Sequence, residues 1–267
     1  MSKQIHVGSV PVGGGADIAI QSMCNTRTED VAATVAQILR LEEAGCDIIR
    51  VAVPDMAAAQ AVGRIRRAIH IPLVADIHFD YKLALECVRQ GIDKIRINPG
   101  NIGSQEKVRA VADACRSEGI PIRIGVNGGS LERELLQKYG GVTPEALVES
   151  AMGHVRLLND CNFDDICISV KCSRVPVNMA AYQLLHRQTD YPLHLGVTEA
   201  GTPGSAVITS PIENTGEAPV APVGPVAPVA PFMPVAPVAP VAPVAPVGPM
   251  GPGRPSAPSL PGMPAKP

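Results

Sequence analysis

Tryptophan is missing from this chain, and phenylalanine and tyrosine number only three and four. A core of useful size must therefore be aliphatic. No charge of one sign dominates: 23 basic and 25 acidic residues leave a formal net charge of -2, which argues against a nucleic-acid partner. No signal-type apolar segment opens the chain and no apolar run reaches membrane length, so the expectation is a cytoplasmic protein without a membrane partner. The seven cysteines (Cys24, Cys46, Cys87, Cys115, Cys161, Cys167 and Cys172) include no C-x-x-C pair. In such a compartment they are expected to be reduced thiols. No G-x-G-x-x-G turn is present, which counts against a dinucleotide-binding sheet.

What is present centres on Lys94 to Asn101, KIRINPGN. It reads as a strand ending in a Pro-Gly turn. Arg96 and Asn98 stand two apart and share one face, while Ile95 and Ile97 take the other. Polar groups on one face with β-branched residues opposite suit a strand that carries a site at its C-terminal end.

The rest of the chain repeats this unit. Residues 5–23 read as a short hairpin feeding a strand at 17–23, with a break at the glycines 13–15. Apolar strands follow at 48–53, 72–77, 94–98, 122–127, 165–171 and 192–198. Between them lie amphipathic helical patterns after Thr28 as far as Gly45, then near 55–69, 81–90, 105–118, 131–139, 144–160 and 174–189. Strands alternating with helices mean α/β architecture with a parallel sheet. The regular spacing predicts a TIM-type (β/α) barrel over residues 1–201, with seven strands recognisable and the eighth missing. A barrel one strand short exposes two long edges, so a marginal, aggregation-prone fold is expected.

After Gly201 the pattern changes. From Ala218 a degenerate Ala-Pro-Val triplet holds most of the 27 prolines. Proline at every third position forbids helices and ladders and suits polyproline II. Residues 202–267 are expected to be a disordered, low-complexity tail.

The C-terminal ends of the strands carry Arg50, Asp76 with His78, Arg96 with Asn98, Arg123 with Asn127, Ser169 with Lys171, and His194 with Thr198 and Glu199. Most pairs stand two or four apart and so share a face. Arg50, Arg96, Arg123 and Lys171 at one barrel mouth would be intolerable without counter-charge. An anion resolves this, and phosphate or diphosphate fits the forked guanidinium. A single strand-end arginine is more often an ordinary salt bridge; four cations at equivalent positions are not. Asp76 and Glu199 are expected to pair with some of them. His78, Ser169, His194 and Glu199 are secondary candidates. The glycine turns 98–101 and 127–130 permit close backbone approach to a ligand.

Together QSMCNTRTED, VADIHFDY, KIRINPGNIG, IRIGVNGGSLE, ESAMGHV and PLHLGVTEAG resemble the 4-hydroxy-3-methylbut-2-enyl diphosphate synthase family of the methylerythritol phosphate route to isoprenoids. The resemblance covers residue 5 to about 201. It implies a TIM barrel that binds 2-C-methylerythritol 2,4-cyclodiphosphate, which is reductively opened and dehydrated at a [4Fe-4S] cluster with electrons from flavodoxin or ferredoxin. By the resemblance Arg50, Arg96, Arg123 and Lys171 would hold the diphosphate, and Asp76, Asn98 and Asn127 would line the same mouth. It also implies a homodimer in which each barrel faces the partner's cluster domain.

The likeness of these motifs stops at Gly201. The family's eighth strand, its further diphosphate-binding arginine and its cluster-ligating cysteines and glutamate have no counterpart here, since no cysteine follows Cys172. The change at Thr202 reads as a truncation, a reading-frame change or a joined tail. The expectation is a barrel that binds substrate but holds no metal, has no identifiable catalytic residue and does not turn over alone. The alternative is a non-catalytic diphosphate-binding or interaction protein with a proline-rich docking tail.

Overall fold

The structure, a computed structural model, describes residues 2–196. The expectations for Thr198, Glu199, the boundary at Gly201 and the proline-rich tail lie outside the described residues.

Two antiparallel strands come first, β1 (Gln4–Val7) and β2 (Val10–Gly13). Gly8 supplies the positive φ of 55° that lets their tight turn close. A Cβ there would lie 2.8 Å from Asp93 Oδ1, so the turn also needs glycine for room. The main sheet follows: β3 (Gln21–Met23), β4 (Ile48–Ala52), β5 (Leu73–Asp76), β6 (Lys94–Ile97), β7 (Ile122–Asn127) and β8 (Ile166–Lys171). All are parallel and paired in chain order. The result is a curled sheet, a half-barrel of the α/β class.

The helices are α1 (Val31–Glu43), α2 (Met56–Arg67), α3 (Tyr81–Arg89), α4 (Pro99–Ile102), α5 (Gln105–Glu118), α6 (Arg133–Tyr139), α7 (Pro144–Asn159) and α8 (Val175–Gln188). Asp30, Asp55, Asp80 and Thr143 cap α1, α2, α3 and α7 by accepting from backbone N–H groups. The outer face of the sheet packs on these helices through aliphatic residues such as Ile49, Ile95, Ile97, Ile124 and Ile168. This is the aliphatic core that the shortage of aromatics demands.

Among the described residues, two expected strands are shorter than the sequence pattern. The first begins only at Gln21; Ile18 and Ile20 are 64% and 61% exposed, although the Ile20 carbonyl accepts from Asp47 and Ile48 N–H at 2.9 and 3.2 Å. The Asp47 side chain also holds this stretch, accepting from the Ile20 N–H at 2.7 Å. The seventh strand is represented by one parallel bridge, Ile168 to Leu193. The α8 side chains take over its anchoring. Tyr182 Oη lies 2.7 Å from the Val170 carbonyl and 2.6 Å from that of His194, while Asn178 donates to the Gly196 carbonyl at 2.9 Å. A short helix, α4, was not expected: Pro99 sits at its start and Asn98 Oδ1 accepts from Gly100 N–H at 3.1 Å.

The hairpin closes the N-terminal end of the half-barrel. Gly8 lies against Pro72 and Asp93, and Gly13 against Pro192, all residues just before strands. Val7 packs with Ile48 and Val74 to form an apolar floor. Ile48→Ala should therefore cost about 2–5 kcal/mol in urea unfolding. A loss under about 1 kcal/mol would mean the hairpin does not seal the floor.

Candidate functional site

Strand alternation sends one set of side chains outward to the helices and the other set inward. The pairing register puts the inward residues in rows. Met23, Arg50, Val74 and Lys94 form one; Ala52, Asp76, Arg96, Arg123 and Cys167 form the next. Further toward the C-terminal ends, Gly125 pairs with Ser169, and Asn127 with Lys171. The interior thus passes from an apolar floor through cations to a polar rim.

Asp76 is the carboxylate among these cations. Its Oδ1 accepts from Arg96 Nη1 at 2.8 Å, and its Oδ2 lies 3.4 Å from Arg50 Nη1. All three side chains are largely buried. Arg123 is 1% exposed and pairs with no carboxylate among the described residues. Its Nε and Nη1, together with Arg50 Nε and Arg96 Nε, are buried without a hydrogen-bond partner among the described residues. Unmatched buried donors on three neighbouring guanidiniums mark a costly concentration of positive charge.

The electrostatics agree. Burial and then the neighbouring Arg50 push the Arg123 guanidinium down to about 10. Burial, followed by Arg50, Arg123 and Arg96, pushes the Lys171 ammonium down to about 8. Arg50 is lowered by burial and by Arg96, against the pull of Asp76. His194 is held well below its usual value, chiefly by burial and then by Arg123, Lys94 and Lys171. It is a neutral imidazole beside a cation cluster.

A cavity of about 730 Å³ opens at the C-terminal end of the strands. Arg50, Asp76, Arg96 and Lys171 line it with Asn127 and the glycines 128 and 129. His78 stands at its rim, half-exposed, with Nδ1 3.5 Å from Arg96 Nη1 and Nε2 3.7 Å from Asp76 Oδ1. Ser169 is buried behind Lys171 with its Oγ unpartnered among the described residues. Asn98, buried at the end of β6, caps α4 through its side-chain oxygen, which accepts from Gly100 N–H. Arg174 adds a cation at the outer wall. A second cavity of about 530 Å³, along α3 and α5, gathers no comparable set of charges.

Two contributors escaped the sequence reading. Lys94 is 1% exposed, and its ammonium reaches only Gln21 Oε1, at 3.2 Å. Burial pushes it down to about 8, with Arg123 and Arg50 adding to the shift against Cys167. Its signal was available, for it stands two before Arg96 on one strand face. Gly125 is the other. A Cβ there would lie 2.4 Å from Arg96 Nε and 2.8 Å from Nη2. Glycine within a strand signals close approach, and here the guest is a guanidinium.

Residues 2–214 match the family described as "GcpE TIM-barrel domain". The chain belongs to this family. The match runs past Gly201, where the quoted motifs end. Among curated relatives, the "4-hydroxy-3-methylbut-2-en-1-yl diphosphate synthase (flavodoxin)" of Geobacter sulfurreducens is 59% identical over 211 residues, covering 79% of this chain and 60% of the relative. The protein of that name from Pseudomonas savastanoi pv. phaseolicola is 61% identical over 211 residues, covering 79% of this chain and 57% of the relative. The chain thus spans somewhat under two thirds of the length of these relatives. A solved type I 3-dehydroquinate dehydratase from Clostridium difficile superposes with a TM-score of 0.57 at 15% identity, over 74% of this chain and 81% of that one. That likeness shows the fold alone.

The described residues do not fit an iron–sulfur cluster. All seven cysteines are buried and unpaired. Among the described residues no three His, Cys, Asp or Glu side chains converge as metal ligands. No helix among the described residues is long and apolar enough to cross a membrane.

Two outcomes follow from this geometry. Gly125→Ala should weaken binding of inorganic diphosphate by at least about tenfold, by displacing one charge-assisted donor; calorimetric titration at fixed pH reads this, and unchanged affinity would separate Arg96 from the ligand. Lys94→Met should raise stability at pH 7, by about 3 kcal/mol at most. The folded-state pKa of Lys94, about 8, lies below the ordinary lysine value of 10.5. The folded state therefore holds fewer protons between those values, and the cost of burying the charge is full below pH 8 and relieved toward pH 10.5. The advantage of Lys94→Met should shrink over that window in urea titrations, and an advantage independent of pH would contradict a charged Lys94.

Proposed function

We propose that the inward cations bind 2-C-methylerythritol 2,4-cyclodiphosphate, and that this barrel belongs to an enzyme that reductively opens the ring, with loss of water, to give 4-hydroxy-3-methylbut-2-enyl diphosphate. The observation that carries the reading is the excess of buried cations over carboxylates: Arg50, Lys94, Arg96, Arg123 and Lys171 against Asp76. A diphosphate restores balance and accepts charge-assisted hydrogen bonds from Arg50, Arg96 and Lys171, which line the cavity. Each such contact is worth about 1.5–3 kcal/mol. The name shared by the curated relatives supports the same product and names flavodoxin as donor.

In this reading Arg96 and Arg50, oriented by Asp76, grip the outer phosphate oxygens. Arg123 and Lys94 supply positive potential from below. Lys171 approaches from the opposite strand, where Gly196 leaves it room: a Cβ there would lie 3.1 Å from Lys171 Cε. Asn127 and the glycines after it contribute backbone and amide donors at the rim. The described residues bind and orient the substrate. The redox group that the family uses, a [4Fe-4S] cluster fed by flavodoxin or ferredoxin, has no ligand set among them, so no step is assigned to it here. A cytoplasmic homodimer, with each barrel facing the partner's cluster domain, belongs to the same reading.

Calorimetric titration of the chain with the cyclodiphosphate tests it. One molecule should bind per chain, and Arg96→Met should weaken binding by about tenfold to a hundredfold. Because the ligand is a dianion on a cationic site, affinity should fall steeply with added salt. Binding unaltered by Arg96→Met, or insensitive to salt, would contradict the assignment.

A further inference from the structure

We propose that Glu132 and His154 form a clamp that fixes the turn after β6 and the turn after β7 relative to each other, and so act as positioning residues for the anion cavity. This rests on the diphosphate reading only for its consequence on binding. The clamp itself stands on contacts. His154 lies on α7, 4% exposed, with Nε2 3.1 Å from Glu132 Oε1. The same oxygen accepts from Ser150 Oγ, one helical turn earlier on α7, at 3.0 Å.

Each end of the pair meets a different turn. Glu132 stands two residues after the 3-10 turn Gly128–Ser130, whose glycines line the cavity. The His154 ring lies against Gly100 in α4, where a Cβ would come within 2.7 Å of Nε2. Gly100 N–H is in turn the donor to Asn98 Oδ1. The two turns that border the inward cations on β6 and β7 are thus referenced to one point on α7.

Ordinary core filling explains this poorly. His154 Nδ1 and Glu132 Oε2 are buried without partners among the described residues. A satisfied apolar pair would fill the space at lower cost. Burial also keeps the imidazole below its usual pKa. In the proposed clamp the Nε2 edge of this ring faces Glu132 Oε1 across 3.1 Å and serves as the donor toward it.

The test uses the full chain and its His154→Leu, His154→Gln and Glu132→Ala variants. Leucine fills the space without the donor, while glutamine returns an amide N–H that can reach Glu132. Two readouts are taken: amide hydrogen exchange of peptides covering 98–102 and 127–132, and calorimetric binding of inorganic diphosphate. His154→Leu should speed exchange in both turns together, by about tenfold, and weaken diphosphate binding by at least about tenfold. His154→Gln should restore both. Glu132→Ala, at a half-exposed side chain, should reproduce the loss even if His154→Leu fails to fold. Exchange that rises in one turn only or in neither, or a glutamine variant no better than leucine, would overturn the clamp. A wild-type chain that binds no diphosphate but shows the coupled exchange would overturn the diphosphate reading and leave the clamp standing.

Discussion

Burying a guanidinium or an ammonium in an aliphatic half-barrel is costly, and this fold does so repeatedly around one carboxylate. Asp76 can balance only part of the charge carried by Arg50, Lys94, Arg96, Arg123 and Lys171. Burial first, and then the neighbouring cations, push Lys94, Lys171 and Arg123 below their usual values. Stability alone would favour replacing such residues with apolar ones. Arg50, Arg96 and Lys171 line a cavity toward the C-terminal ends of parallel strands, where α/β barrels hold their ligands, and Arg123 and Lys94 lie deeper on their strands.

The surrounding structure serves this arrangement. The hairpin seals the N-terminal end with Val7, Ile48 and Val74, which keeps water from the cations on that side. The outward-facing isoleucines lock each strand onto its helices and so fix the height of each inward side chain. Gly125 opens the space in which the Arg96 guanidinium lies. Tyr182 and Asn178 hold the segment around Leu193 against β8 where ladder hydrogen bonds are few.

Much of this was legible in the sequence because alternation in strands and periodicity in helices are local properties. The helices at 105–118, 144–160 and 174–189 appear within a residue or so of their expected bounds. The convergence of Arg50, Asp76, Arg96 and Lys171 was readable because each lies at a strand end on the inward face. Less legible was whatever depends on neighbours distant in sequence. Asn98 looks like a ligand by position, yet its side-chain oxygen goes to the cap of α4. Lys94, at the strand start, takes no role in the sequence reading, yet it lies 1% exposed on the inward face. His154 has no strand-end signature, and its relation to Glu132 exists only once α7 is docked. The expected strand at 17–23 shortens to Gln21–Met23, with Ile18 and Ile20 exposed before it.

The most direct measurement of the central claim is the proton balance of ligand binding. Both phosphorus centres of the cyclodiphosphate are diester-like, so the ligand itself does not titrate near pH 8. Calorimetric titrations at pH 8.5 in two buffers of different ionisation enthalpy then report protons exchanged by the protein. A dianion among Lys94 and Lys171 should raise their pKa from about 8, so binding should take up protons, and the uptake should diminish in Lys94→Met. Binding with no proton uptake in the wild-type chain would mean that the guest does not meet this cluster of charges.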